Sequence, residues 1–206
     1  MAEVKEYAFT DISASFFSKA KKRFPAEIFP YLRFQTLDIE KDPAMQGLAP
    51  HAYDVVVAAN VLHATGDILE TLGNIATLLA PNGVLVMLEI TQRDVWSDVT
   101  FGLLEGWWRY RDTERRADSA MMPAESWLRA LGEAGFVDAC WGPPGFRQAV
   151  IVARGPQQLH PADMLPLPAL ALLLPEGSDT GIKTDNMKKK KKKMVMTAKE
   201  GPPLQH

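Results

Sequence analysis

The sequence of 206 residues holds one cysteine, Cys140. A lone thiol cannot close an internal disulfide, and none of the zinc-ligand spacings occurs, so no metal site is expected and a reducing, cytoplasmic setting fits. Long apolar runs are also lacking. The longest in the C-terminal region, LPLPALALLL, is broken by proline and falls short of the roughly 20 residues that a membrane-crossing helix needs. The opening stretch, MAEVKEYAFTDIS, alternates charged and apolar residues, which excludes the pattern of a signal or transit peptide. Excess charge of one sign is absent too. Twenty-three Lys and Arg stand against 25 Asp and Glu, for a net charge of -2. Bulk electrostatics therefore point to neither nucleic acid nor a membrane surface. What the chain does have is apolar material: 47% of its residues are hydrophobic, enough for a substantial core.

The composition changes near residue 156. Before it, apolar runs alternate with helical patterns, and after it come prolines, the lysine run Lys188 to Lys193 and a polar end. Residues 1–156 are expected to fold, residues 157–181 to form a linker, and residues 182–206 to be a disordered Lys-rich tail. In the folded part, EYAFT and YLRFQTL read as strands flanking a helix, DISASFFSKAKKRF. Ser13 is a plausible N-cap for that helix, with Phe16, Phe17, Ala20 and Phe24 on one face. DVVVAA is a continuous apolar run, as expected of a strand covered on both faces. Asp67 and Glu70 have capping-box spacing and open a helix with Ile68, Leu72, Ile75, Ala76 and Leu79 on one side. PNG stops it, and VLVMLEI reads as another buried strand. The segment from 93 to 123, rich in Trp and Arg, reads as an insertion over the sheet. AESWLRALGEAGF is a helix ending at Gly135, and VDACWG and FRQAVIVAR form a closing antiparallel pair. Alternating strands and helices predict an α/β fold with a mostly parallel sheet.

Ligands of open parallel sheets bind beyond the carboxyl ends of the strands. The polar residues at those ends are Asp11, Asp38, Asn60, His63 and Glu89. Each has a plain structural reading. Asp11 can cap the helix that follows, Asp38 can be a turn residue, and Asn60 and His63 can satisfy loop backbone groups. Glu89 follows five apolar residues and should be largely buried, where an unpaired carboxylate is costly. It therefore needs a partner, and His63 is a candidate. A buried carboxylate that orients a histidine is also the arrangement of a general base. The aromatic residues Phe101, Trp107, Trp108 and Tyr110 are open to two readings, a plug for the core or a lid over a substrate.

YAFTDIS, LDIEKDPAMQG, YDVVVAANVLHAT followed by LLAPNGVLVMLEIT, and FGLLEGWW together resemble the C-methyltransferase domain of polyketide synthases, from about residue 5 to residue 155. That resemblance implies a Rossmann-like class I fold using S-adenosylmethionine. It implies that Asp11, Asp38 and Asn60 bind the cofactor and that His63 and Glu89 are a catalytic pair. Phe101, Trp107 and Trp108 would enclose the substrate. The implied reaction is methylation of the α-carbon of a β-ketoacyl thioester on an acyl carrier protein, with other synthase domains as partners.

The sequence departs from the family in one respect. No GxGxG occurs, and the family's first strand and Gly-rich loop precede the FTDIS stretch. In the family that strand lies between those ending at Asp11 and Asn60, so its loss leaves these strands to pair directly or keep unpaired edges. LALLLPEGSDTG, at 170–181, is similar to the opening of a ketoreductase region. The expectation is a piece of a larger synthase. Two functions stay open for it: a carbon methyltransferase or fragment of one, and a non-catalytic remnant or interaction piece that cannot bind cofactor alone.

Overall fold

The computed structural model describes residues 4–157, apart from 94 and 146. The expected linker and Lys-rich tail lie outside the described residues from 158 onward. Among the described residues, no helix is long and apolar enough to cross a membrane, and no group of three or more His, Cys, Asp or Glu residues could hold a metal ion.

The fold is α/β, with parallel strands first and an antiparallel pair last. Strand β1 (Tyr7–Asp11), helix α1 (Phe17–Arg23) and strand β2 (Leu32–Thr36) make the first unit. The two strands pair in parallel, Tyr7 opposite Leu32 and Asp11 opposite Thr36. Phe9, Phe17 and Phe34 lock the helix onto them, with ring centroids 5.4 to 6.2 Å apart. Ser13 does cap, accepting from Ser15 N. The expected apolar helix face is narrower than the sequence suggests. Phe17 is buried but Phe16 is 60% exposed, because the first turn is a 3-10 turn, Ala14–Phe16, which rotates Phe16 out of line with the α-helical positions.

The second unit is built from β3 (Tyr53–Ala59), α2 (Ile68–Leu78), β4 (Leu79–Ile90), α3 (Val95–Phe101), α4 (Ala124–Glu133), β5 (Val137–Gly145) and β6 (Gln148–Arg154). Its four-stranded sheet has the order β3-β4-β6-β5. β3 and β4 are parallel, and β4 with β6 and β6 with β5 are antiparallel. Helix α2 starts where Asp67 accepts from Glu70 N. Glu70 does not complete a capping box, since its carboxylate pairs with Arg111 instead. Helix α4 ends at Gly135, whose φ of 85° costs a glycine least.

Period-2 alternation decides which face is core. Leu85, Met87 and Glu89 of β4 lie beside Ala153, Ile151 and Ala149 of β6. All six are buried. Ile68, Leu72 and Ile75 of α2 and Trp127, Ala130 and Leu131 of α4 complete that core. The other face is open. Val55 and Val57 are 55% and 61% exposed, which corrects the expectation of a β3 covered on both faces. Among the described residues β1 pairs only with β2 and β3 only with β4, so β3 is an edge strand, and Val55 and Val57 line an open groove beside β1. Asn74 Nδ2 donates to Ile39 O (2.8 Å) and ties the loop after β2 to helix α2.

The two faces of the sheet differ in what a substitution should cost. Met87→Ala is expected to lower the unfolding free energy by about 2–5 kcal/mol. Val57→Thr, which keeps the β-branch on the open face, should stay within about 0.5 kcal/mol. Urea unfolding of both variants measures this, and equal losses would show that the Val57 face is packed in solution.

Candidate active site

The chain leaves β3 through Asn60, a non-glycine residue at φ 54°. Asparagine tolerates the left-handed region better than most residues, and its N–H is fixed by Leu88 O at 2.7 Å. A 3-10 turn, Leu62–Ala64, follows and carries His63. At the same level β4 delivers Glu89, which is fully buried. One carboxylate oxygen of Glu89 accepts from Val61 N (3.3 Å) and Leu62 N (2.9 Å). The other takes His63 Nδ1 at 2.7 Å. Three donors converge on one acceptor-only group, which is how a carboxylate at such depth becomes tolerable. Because the carboxylate can only accept, Nδ1 carries the ring proton, and Nε2 is left as the basic nitrogen.

Aromatic residues wall the histidine. Trp107 is buried and meets the His63 ring edge-on at 5.6 Å, and Phe101 stacks on Trp107 at 5.3 Å. Trp107 Nε1 donates to Asp98 (3.2 Å), which fixes the indole. Trp108 is not part of this cluster. It is half exposed and donates to Gly102 O.

The remaining rim residues share a different space. Asp11, Asp38 and Asn60 line a groove of about 460 Å³ between β1 and β3, walled by Ile39, Leu48 and Ala58. Leu62, Ala64 and Thr65 border it, so the turn that holds His63 stands between groove and histidine. Asp11 caps its own turn, with Oδ1 accepting from Ser13 N (2.8 Å). Asp38 is held by its own loop. Oδ1 accepts from Glu40 N, Oδ2 pairs with Lys41 at 2.9 Å, and Gln46 brackets the Asp38 backbone. The Lys41 hydrogen bond holds the Asp38 carboxyl below its ordinary value, against the opposing effect of burial.

Sequence reasoning missed Asp112 and Arg116, a fully buried ion pair beneath the His63 turn. Their i,i+4 spacing within YRDTERRAD was a usable signal. It also missed Arg109, which bonds Glu40 at 2.6 Å across the mouth of the groove.

Residues 2–85 match the family model described as "Methyltransferase domain". Polyketide synthase ThaG of Burkholderia thailandensis is 41% identical over 139 residues, covering 67% of this chain and 2% of that protein. Among solved structures, the CurJ carbon methyltransferase superposes with a TM-score of 0.69 at 46% identity, covering 74% of this chain and 42% of that one. The trans-methyltransferase CalH in complex with SAH gives a TM-score of 0.66 at 42% identity, covering 73% and 42%. The chain thus spans less than half the length of these relatives.

Asp38 supplies a pH test of the groove. A carboxyl held below its ordinary value stabilises the folded chain above that value, and the contribution is lost as pH falls through the folded one. The stability gap between the natural chain and Asp38→Asn should be constant above about pH 5, and should close below the ordinary 3.8. A partly exposed pair of this kind is worth about 1 kcal/mol or less. Urea unfolding from pH 7 to pH 3 measures it, and a gap that widens in acid would contradict the assignment.

Proposed function

Since this chain belongs to the methyltransferase domain family, with the carbon methyltransferases of polyketide synthases, we propose that it supplies the base for α-carbon methylation of a β-ketoacyl thioester carried on an acyl carrier protein. The supporting observation is the pairing of His63 with Glu89 beneath Trp107. A histidine only 7% exposed, with Nδ1 tied to a carboxylate at 2.7 Å, has a fixed tautomer and a fixed ring plane. Nε2 takes a proton from the carbon between the two carbonyls. The electron pair of the C–H bond passes into the enolate, and the imidazolium that forms has Glu89 against its other nitrogen. Charge develops where a counter-charge already stands, so no reorganisation is needed. Trp107 shields the ring edge-on, and with the half-exposed Phe101 stacked on it provides an apolar wall for the acyl chain. Carbon acids of this kind need such a base more than oxygen or nitrogen nucleophiles do, which favours C-methylation over O- or N-methylation.

The groove residues fit the nucleoside part of S-adenosylmethionine. Asp11 offers its carboxylate to ribose hydroxyls, Asn60 stands at its side, and Ile39 and Leu48 present apolar surface beside Asp38 for a purine. The volume is in the range of small-molecule sites. When bound, the cofactor supplies an electrophilic methyl group. The residues present offer the side chains of such a site but not a Gly-rich backbone cradle, since no GxGxG occurs.

A second reading is an interaction piece. Among the described residues the edges of β1 and β3 are unpaired and Val55 and Val57 exposed, which favours it, because open strand edges are templates for pairing with another chain. Titration calorimetry with S-adenosylhomocysteine separates the two. Micromolar binding, lost in Asp11→Ala, supports a working cofactor groove; no binding by a folded sample leaves the interaction piece.

The base has its own test, independent of the methyl donor. Solvent deuterium exchange at the α-carbon of acetoacetyl-pantetheine reports proton removal alone. His63→Ala is expected to lose the catalysed exchange by about 10²-fold or more, and Glu89→Gln to weaken it strongly. Exchange undiminished in both variants would sink the assignment.

A further inference from the structure

Arg116 is 1% exposed. Arginine is almost never buried to this degree unless its whole fork is satisfied. Here its Nε donates to Asp112 Oδ1 at 2.7 Å, and its face covers the Tyr110 ring at 4.9 Å. Nη2 also pairs with Asp112, and both terminal nitrogens reach the turn that carries His63. Nη1 donates to His63 O at 3.0 Å, and Nη2 to Thr65 O at 2.9 Å and Gly66 O at 3.2 Å. Asp112 also accepts from Ile68 N at 3.1 Å, which ties the pair to the start of α2.

The turn that carries His63 is therefore gripped from two sides by opposite charges. Glu89 takes its leading N–H groups, at Val61 and Leu62. Arg116 takes its trailing carbonyls, at residues 63, 65 and 66. We propose that Arg116, backed by Asp112, is a positioning residue for His63: it holds the turn so that the imidazole stays in plane with Glu89 and aims Nε2 outward. This rests on the reading of His63 as the base. Only a planar guanidinium reaches three carbonyls at once. A lysine ammonium at the same place is a point charge on a flexible stem and cannot span them. Without the clamp, the peptide of residue 63 can rotate while Glu89 still holds residues 61 and 62, so the error falls on the histidine ring. Misplacements of about 1 Å at a reacting group cost on the order of 10²-fold.

The experiment uses the full chain. Arg116→Lys, and the double variant Asp112→Asn/Arg116→Gln, are compared with the natural chain in two measurements. The first is the low-field imidazole proton and the ¹⁵N signals of His63, with Glu89→Gln as the reference for a lost Nδ1–H bond. The second is α-carbon deuterium exchange on acetoacetyl-pantetheine, resolved into kcat and KM. The double variant removes both buried charges together, a change that stability often tolerates, and so covers the case in which Arg116→Lys alone does not fold.

The expected result is a folded variant whose Nδ1 proton signal broadens or disappears. Its kcat for exchange should drop about tenfold or more, with KM within about twofold. A folded variant that keeps the signal and the natural kcat would overturn the proposal, since a merely structural arginine would leave both unchanged. If the natural chain shows the Nδ1 signal but catalyses no exchange, the base reading fails. The clamp is then judged by the signal alone, and its persistence in the variants would equally overturn it.

Discussion

A carboxylate at full burial is the constraint around which the second unit of this fold is arranged. Glu89 sits in β4 on the same face as Leu85 and Met87, so its position is dictated by the pleat and by the pairing of β4 with β3 and β6. The pleat sends it into the core whatever its chemistry. An ionised carboxylate there costs several kcal/mol unless it is bonded. The N–H groups of β3 and β6 that face β4 are spent on the ladder. The turn after β3 supplies the bonds: two backbone N–H groups and one ring N–H. The geometry that satisfies Glu89 therefore also fixes the orientation of His63.

That coupling extends outward in both directions. On one side Asn60 has to enter the left-handed region so that the chain can double back over Glu89, and its own N–H is pinned to Leu88 O. On the other side the carbonyls of His63 and Thr65 lie under the turn and need a donor, while Gly66 O already accepts from Arg111 N. Arg116 arrives from a segment some fifty residues later to meet them, and Asp112 neutralises it while bonding the first turn of α2. A buried anion, a turn and a buried cation thus form one continuous polar network inside an otherwise apolar core. Such networks are stable only when every member is satisfied. Among these groups each side chain has its partner, and among the described residues the buried side-chain polar atoms without one lie elsewhere, at Gln35, Trp127 and Arg154.

Much of this was legible in the sequence, for reasons that can be stated. The apolar residues before Glu89 announced its burial, and burial announced a partner. Asp67 announced the start of α2, and Gly135 the end of α4. Period-2 patterns gave the closing antiparallel pair. Other features were not legible because they depend on neighbours that a local pattern does not specify. VVVAA reads as a doubly covered strand, yet whether both faces are covered depends on what else packs there, and Val55 and Val57 are bare. Asp38 reads as a turn residue, and its carboxylate is held by Glu40 N and Lys41 of its own loop, but the part played by Gln46 on its backbone has no local signal. Arg116 stands in the Trp- and Arg-rich segment that reads as an insertion over the sheet, a reading that does not single it out from its neighbours. Its burial is decided by three carbonyls distant in sequence, which only the tertiary fold brings together. The aromatic segment divided for the same reason: Trp107 is inside because Asp98 and His63 meet it, whereas Trp108, one residue on, is half exposed.

The two halves of the candidate site differ in how far the described chain completes them. The histidine half is closed: His63, Glu89, Trp107 and Arg116 are buried, with Glu89 and Arg116 both bonded to residue 63 and Trp107 set against its ring. The groove half is open, lined by two strands whose facing edges have no ladder between them. Its acidic residues are fastened to their own turns rather than to each other. A site whose base is organised by core polar bonds does not need an occupied groove to hold that base in place. On the proposed function, loss of the groove removes methyl transfer and leaves proton abstraction, whereas loss of the Glu89 bonds removes the turn and both with it. The order of dependence runs one way, from the buried carboxylate to the turn, from the turn to the histidine, and only then to the groove that the turn borders.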